Sequence, residues 1–185
     1  MKEIIIIAGP NGSGKTTLAG QLNLTGLFIN ADMYEKEFFS HIKSKEAREL
    51  QSSIAVARKI KDCLQNGESF AFETVFAADG IPDFLQKAKK KGYEIKTHFV
   101  ATDNSAINIS RVAKRVSEGG HNVSKRKIVG RYKKVLCVLP ELLKFSDKII
   151  LYDNSQEKMR PFLIKEEGQI KIIDNVPKWA KGLLL

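Results

Sequence analysis

The stretch IIIIAGPNGSGKTTL, residues 4–18, decides the fold of this chain. It begins with four isoleucines, an unbroken apolar run that is typical of a strand buried on both faces of a parallel sheet. The run leads directly into GPNGSGKT at residues 9–16, which has the spacing G-x-x-x-x-G-K-[ST] of a loop that binds nucleotide phosphates. We therefore predict a nucleotide site immediately after the first strand.

The residue types of this loop suit a polyphosphate. Its glycines allow backbone angles and close approaches that a Cβ would block, so that successive N–H groups can point at the phosphates. A helix is predicted from Lys15 to about Leu24, and its positive end faces the same group. We expect Lys15 to bind the β- and γ-phosphates of ATP (GTP is possible) and the Thr16 hydroxyl to hold Mg²⁺. The predicted nucleotide-binding residues of the loop are Gly9, Pro10, Asn11, Gly12, Ser13, Gly14, Lys15, Thr16 and Thr17.

The composition indicates one domain with a sizeable core, since 43% of the 185 residues are hydrophobic. No apolar run is long enough to span a bilayer or to form a signal-peptide core, so we expect a cytoplasmic protein without a membrane partner. Cys63 and Cys137 have neither paired nor metal-binding spacing and are expected to be reduced and structural. The histidines lie far apart and predict no zinc site.

The net charge of +10 has two interpretations. One is a lysine-rich surface, and KAKKKG at residues 87–92 has the composition of an exposed helix end. The other is an anionic ligand, which could be a nucleotide, a sugar nucleotide or a nucleic acid. Because aromatic and basic residues are not interleaved as in a stacking platform for bases, a nucleic acid substrate is the less favoured of these.

Strands and helices alternate along the chain. Residues 33–43 have no clear pattern, and residues 160–174 predict a small hairpin that turns at Glu167 and Gly168. The alternation predicts an α/β fold, a P-loop NTPase three-layer sandwich in which a parallel sheet carries helices on both faces. We expect a single domain over residues 1–185. The other predicted strands are 26–32, 69–76, 93–102 and 147–155, and the other predicted helices are 44–67, 81–92, 104–120 and 124–145.

Ligands of such sheets bind at the carboxyl ends of the strands. Besides the phosphate loop, this rule selects Asp32, the pair Glu73 and Thr74, the pair at residues 102–103, and residues 152–155 with Asn154. Asp32 could take a proton from an acceptor hydroxyl, or it could cap a helix. Glu73 could lie near the metal, or it could be a solvated strand end, although its apolar neighbours favour a partnered carboxylate.

Two arginines four residues apart, Arg111 and Arg115, are expected on one face of a helix. Their mutual repulsion, roughly 0.2–0.5 kcal/mol, would become attraction if a polyphosphate bound between them. A solvated basic face is the alternative. Arg131 in the following helix is a third candidate, and the break at Gly119 resembles the hinge of a basic helical lid over about 104–135. Paired carboxylates, arginines and a lid favour a kinase over a nucleotide switch.

The order of these motifs resembles the zeta-toxin family of P-loop kinases. The resemblance rests on AGPNGSGKTTL, FINAD, FAFET, RVAKRVSEGGHNVSKRKIVGRY and YDNS, which together cover about residues 3–155. The family implies a mononucleotide-kinase-like fold. Its better-understood members transfer the γ-phosphate of ATP to a hydroxyl of UDP-N-acetylglucosamine and are inhibited by an antitoxin protein.

The resemblance also implies roles for single residues. It makes Lys15 the phosphate-binding lysine, Asp32 the general base, Glu73 the acidic residue near metal and substrate, and Arg111 the first lid arginine. In the toxin members a glycine separates the acidic residue from a threonine that contacts the substrate, whereas Glu73 and Thr74 are adjacent here.

The second lid arginine of the family aligns with His121, so Arg131 or Arg115 is expected to take its role. The predicted catalytic residues are Asp32, Lys15, Arg111, Arg115 and Arg131, the predicted substrate-binding residues are Asp32, Glu73, Thr74 and His121, and the predicted metal ligands are Thr16 and Glu73. Two other functions remain open: a non-catalytic nucleotide-binding partner of an antitoxin-like protein, and a polynucleotide or RNA kinase.

Overall fold

The computed structural model describes residues 2–76 and 80–182. Within these residues, seven strands form one sheet: β1 (Glu3–Ala8), β2 (Leu27–Ile29), β3 (Phe70–Thr74), β4 (Glu94–Ala101), β5 (Lys148–Asp153), β6 (Arg160–Glu166) and β7 (Gln169–Ile172). The helices are α1 (Lys15–Ala19), α2 (Ala31–Phe38), α3 (Lys45–Asn66), α4 (Ile81–Lys90), α5 (Ser105–Ser117) and α6 (Lys125–Phe145), followed by a 3₁₀ turn (Lys178–Ala180).

The strand order is β2-β3-β1-β4-β5-β6-β7. The first five strands are parallel, and β6 and β7 are added antiparallel at one edge. The predicted α/β fold is confirmed. The turn between β6 and β7 lies at Glu167 and Gly168, which both have positive φ angles, as the twist of a tight hairpin requires.

The isoleucines of β1 pack alternately on the two faces of the sheet. Ile4 and Ile6 belong to the larger core, together with side chains of α3, α4 and α6. Ile5 and Ile7 face the other way, against Leu18 of α1. Helices therefore cover both faces of β1, which is why its sequence is apolar without alternation. Burying each such side chain contributes about 1.5–3 kcal/mol, and the phosphate loop starts from this rigid base.

Helix α2 was expected only in the alternative in which Asp32 caps a helix. The strand predicted over 26–32 ends at Ile29, and Asn30 caps α2 by accepting the backbone N–H groups of Asp32 and Met33 at 2.8 and 3.1 Å. The position of Asp32 at a strand end was therefore wrong, and so was its alternative role as a cap. Helix α2 has only eight residues and none of its side chains is fully buried, so the segment gives a weak local signal.

Other helix ends follow their predicted signals more closely. Ser44 caps α3 and Gly67 ends it with a left-handed φ of 75°. Helix α1 is shorter than expected, since it ends at Ala19 and not near residue 24. Both cysteines are free; Cys63 is buried in the core, in agreement with the structural role expected of it, but Cys137 is exposed on α6 and has no such role. None of the helices in the described ranges has the length and apolar character needed to cross a membrane.

Candidate active site

The phosphate loop is held from two sides by asparagine side chains. Asn108 of α5 donates its Nδ2 to the carbonyl of Asn11 at 2.6 Å, and Asn154 after β5 donates to the carbonyl of Ser13 at 2.8 Å. Gly12 has a φ of 76°, and a Cβ there would lie 2.6 Å from the carbonyl oxygen of Asn108. Only glycine allows α5 to pack this closely on the loop.

Lys15 is folded back onto the loop. Its Nζ donates to the carbonyl of Pro10 at 2.9 Å and lies 3.8 Å from Glu73 Oε1, and the side chain is only 6% exposed. Burial lowers the pKa of Lys15, and the carboxylates of Glu73 and Asp32 partly oppose this effect. A bound anion would supply the compensating negative charge that this buried ammonium otherwise receives from Glu73.

Glu73 ends β3 at the centre of a polar cluster. Its Oε2 accepts hydrogen bonds from Thr16 Oγ1 at 3.0 Å and from Asn30 Nδ2 at 2.8 Å. Glu73 is therefore partnered, and the solvated strand end considered for it is excluded. A carboxylate beside a hydroxyl is the oxygen donor set that Mg²⁺ prefers, so Thr16 and Glu73 fit that ion.

Asp32 lies in the first turn of α2, with an exposed side chain that lines the same cleft as Lys15 and Glu73. Its carboxylate is near enough to raise the pKa of Lys15. Asp32 was predicted at the end of a strand. The structure places it in the first turn of a helix instead, and this position still brings it to the site. Thr74 also lines the cleft, and its Oγ1 accepts the backbone N–H of Phe76 at 3.0 Å.

The three predicted arginines line the cleft, each bound to a backbone or amide oxygen. Arg111 donates to the carbonyl of Gln156 at 3.1 Å, Arg115 to that of His121 at 2.6 Å, and Arg131 to Asn11 Oδ1 at 3.3 Å. Arg111 Nη1 and Arg115 Nε are buried and have no hydrogen-bond partner in the described part of the chain. An unpaired buried donor costs about 1–3 kcal/mol, and an anion in the cleft would remove that cost.

His121 connects the segment between α5 and α6 to α2 and α3. Its ring nitrogens lie 3.8 Å from Glu35 Oε2 and 3.7 Å from Glu49 Oε1. Lys45 donates to the carbonyl of Asn122 at 2.7 Å, and Glu49 also pairs with a lysine of α6 at 2.9 Å. His121 therefore closes one wall of the cleft through acidic partners that the sequence analysis did not select.

The cleft has a volume of about 2430 Å³. Of the predicted site residues, Gly9, Pro10 and Ser13 are buried and do not line the cleft, and neither does the pair at residues 102–103. Asn30 and Asn108 were missed, because each makes its decisive contact with a residue far away in the sequence. The predicted residues that line the cleft are Asn11, Gly12, Gly14, Lys15, Thr16, Thr17, Asp32, Glu73, Thr74, Arg111, Arg115, His121, Arg131 and Asn154.

Comparison with known proteins identifies the family. The family model described as zeta toxin matches residues 1–160. The chain belongs to the zeta toxin family. The resemblance predicted from the motifs is confirmed. An uncharacterized protein of Haemophilus influenzae is 22% identical to this zeta toxin family member over 128 residues, which are 69% of this chain and 91% of that protein.

Solved structures share the fold at low sequence identity. The complex of AvrRxo1-ORF1 with AvrRxo1-ORF2 and ATP has a TM-score of 0.72 at 15% identity, and the match covers 94% of this chain and 61% of that chain. This chain thus spans less than two thirds of the length of the AvrRxo1 chain that it matches. The PezAT toxin–antitoxin system of Streptococcus pneumoniae gives a TM-score of 0.59 at 18% identity, and the match covers 86% of this chain and 72% of that chain. The Pnkp1/Rnl/Hen1 RNA repair complex gives a TM-score of 0.52 at 18% identity, and the match covers 86% of this chain and 48% of that chain.

Proposed function

We propose that this zeta toxin family member is an ATP-dependent kinase that phosphorylates a hydroxyl of a sugar nucleotide such as UDP-N-acetylglucosamine. The feature that supports this most is the contact of Lys15, Thr16 and Glu73 within a cleft lined by three arginines. The cleft, at about 2430 Å³, is larger than the ~300–1,000 Å³ typical of a site for one small ligand. Its size suits ATP and an acceptor together, which a nucleotide switch would not need.

The residues of the cleft supply the elements of phosphoryl transfer. Lys15 leaves the carbonyl of Pro10 and binds the β- and γ-phosphates. Asp32 accepts the proton of the acceptor hydroxyl as its oxygen forms a bond to the γ-phosphorus. The bond from that phosphorus to the bridging oxygen breaks, and ADP leaves with the electron pair. Arg111, Arg115 or Arg131 stabilises the negative charge on the transferring group.

Thr16 and Glu73 would hold Mg²⁺ in this scheme. In kinases Mg²⁺ takes few protein ligands and completes its shell with phosphate oxygens and water, so one hydroxyl and one carboxylate suffice. When bound, Mg²⁺ neutralises charge on the phosphates, while Asn30 keeps Glu73 oriented.

The Asp32→Asn variant tests this function. It keeps the size of the side chain but cannot take a proton, so single-turnover transfer should fall by on the order of 10²–10⁴ while ATP affinity stays nearly constant. Asp83→Asn is the matched control, because Asp83 lies in the first turn of α4 and does not line the cleft. The acceptors are a panel of sugar nucleotides, nucleosides and RNA ends, with ATP and GTP as donors. Equal transfer by wild type and Asp32→Asn would remove Asp32 as the base.

An antitoxin protein is the partner that this proposal includes. The family model and the likeness to the PezAT toxin–antitoxin system support it. If the activity is toxic, wild-type protein should slow the growth of an expressing bacterium, and Asp32→Asn should relieve the inhibition. Inhibition that persists in a transfer-deficient Asp32→Asn protein would favour the non-catalytic binding role instead.

A further inference from the structure

The side chain of Asn30 connects the carboxylate of Glu73 to the backbone at the start of α2, the helix that carries Asp32. It is only 5% exposed, and its amide is bonded at both ends. Its Oδ1 accepts the backbone N–H groups of Asp32 and Met33 at 2.8 and 3.1 Å, and its Nδ2 donates to Glu73 Oε2 at 2.8 Å. The start of α2 and the end of β3 are thus joined by one short, buried group.

Both ends of this connection lead to proposed site residues. Glu73 is in contact with Thr16 and Lys15, and the first turn of α2 carries Asp32. We propose that Asn30 is a positioning residue for phosphoryl transfer, which holds the proton-accepting Asp32 at a set distance from the Thr16–Glu73 pair. This inference rests on the proposed function. It assigns a role to a residue whose side chain contacts Glu73 and the backbone of α2.

An asparagine can both cap α2 and donate a hydrogen bond to Glu73, whereas other capping residues can do only one of these. Serine, threonine and aspartate also cap helices well. A hydroxyl is too short to serve the cap and Glu73 together, and an aspartate would set a second carboxylate against Glu73. Among these capping side chains, only the amide combines an acceptor with an N–H donor in one planar group. The cap alone therefore does not explain the asparagine.

The first turn of α2 has a second support that makes the test practical. Ser52 of α3, which is 1% exposed, donates its Oγ to the carbonyl of Ala31 at 2.5 Å. Helix α2 should therefore remain folded when the contact of Asn30 with Glu73 is removed. The Asn30→Ser variant keeps a capping oxygen and loses the amide donor. Asn30→Asp keeps the cap as well and puts a negative charge beside Glu73.

Helix α5 offers a matched control. Asn104 accepts the backbone N–H groups of Ala106 and Ile107 at 3.0 and 3.2 Å, which is the same cap, and its side chain is exposed. Asn104→Ser thus measures the effect of the cap change alone. Thermal unfolding should shift more in Asn30→Ser than in Asn104→Ser, because only Asn30→Ser also loses a buried hydrogen bond to a carboxylate. The kcat for transfer should fall about 10–100-fold in Asn30→Ser only, with KM for the acceptor changed less than threefold, as is usual when support of a metal-side carboxylate is lost.

The Mg²⁺ dependence gives a second readout. The Mg²⁺ concentration for half-maximal transfer should rise about tenfold in Asn30→Ser, because Glu73 loses the N–H donor that orients it. A kcat within twofold of wild type and an unchanged Mg²⁺ midpoint in the folded Asn30→Ser variant would overturn the positioning role alone. An equal loss of kcat in Asn104→Ser would overturn it too, in favour of a general effect on folding. A wild-type protein that transfers no phosphate to any acceptor would overturn the proposed function and this inference together.

Discussion

At the scale of single residues, Lys15 combines an expected identity with an unexpected position. The loop spacing predicted a side chain directed at a ligand, but the ammonium is buried and bonded to the carbonyl of Pro10. Burial lowers the pKa of Lys15, but Glu73 at 3.8 Å opposes this shift, and with the carbonyl of Pro10 it holds the ammonium in place without a ligand. Ligand binding then exchanges one set of oxygen partners for another.

Replacing Lys15 by methionine should therefore remove function and preserve the fold. The variant fills the same volume without a charge, so phosphoryl transfer should be abolished, while the free energy of unfolding changes by less than about 2 kcal/mol. Transfer assays and urea denaturation measure the two effects. Normal turnover by a folded Lys15→Met protein would contradict the assignment of the nucleotide site.

His98 on β4 predicts a pH effect that is independent of the active site. Its Nδ1 lies 3.0 Å from the Tyr152 hydroxyl, and burial, with a smaller effect of Lys148, lowers the pKa of His98 to about 4. Because the folded state favours the neutral ring, this stabilisation is complete above the unfolded pKa of about 6.5 and is lost as the pH falls towards 4. Between about pH 7.5 and 5 the loss is on the order of 2 kcal/mol.

Substituting His98 isolates this effect from the carboxylates that titrate nearby. Between about pH 7.5 and 5, the free energy of unfolding of the wild type should decrease more than that of His98→Gln. The difference should be on the order of 2 kcal/mol. Denaturant titrations at several pH values measure the difference. Parallel pH profiles for the two proteins would show that His98 titrates alike in the folded and unfolded chains.

At the scale of elements, α5 and α6 bring the arginines to the phosphate loop. Asn108 fastens α5 to the loop, and the partly unpaired guanidinium groups of Arg111 and Arg115 lie in the cleft. Replacing the critical arginine by alanine should lower kcat by on the order of 10²–10³ and weaken ATP binding much less, because its contacts strengthen as charge develops. Steady-state kinetics and ATP titration separate the two effects for Arg111, Arg115 and Arg131.

Lys114 provides the control on the same helix. It is exposed on α5 and does not line the cleft, so Lys114→Ala should retain wild-type kinetics. Full activity in all three single arginine variants would mean that the arginines of α5 and α6 have no catalytic role.

Elements with strong local signals were predictable from sequence, and those held by distant contacts were not. The apolar β1, the glycine loop and the long α3, with Ser44 and Gly67 at its ends, each carry their signal within a few residues. Helix α2 has only eight residues and no fully buried side chain, so its sequence carries a weaker signal than that of α3. The contact of Asn30 with Glu73 spans 43 residues, and no local pattern reports which strand end lies opposite which helix cap.

At the scale of the whole molecule, the excess positive charge is partly concentrated in the cleft. Among the described residues that line it, ten are lysine or arginine and five are aspartate or glutamate. Magnesium-bound ATP would neutralise part of this charge, and an acceptor with phosphates of its own would neutralise more. Sugar nucleotides and RNA ends both meet that description, so the net charge of +10 does not choose between them.

Salt dependence distinguishes these acceptors. A polynucleotide that made 6–10 phosphate contacts would lose about 10³–10⁵ in affinity between about 50 and 200 mM salt. A sugar nucleotide makes few such contacts, so its KM should rise less than about tenfold over the same range. Lys134→Ala should raise that KM, whereas Lys133→Ala should not, because Lys134 lines the cleft and its exposed neighbour does not. A steep salt dependence, with both lysine variants weakened alike, would favour a nucleic acid acceptor bound along α6 over a small molecule enclosed in the cleft.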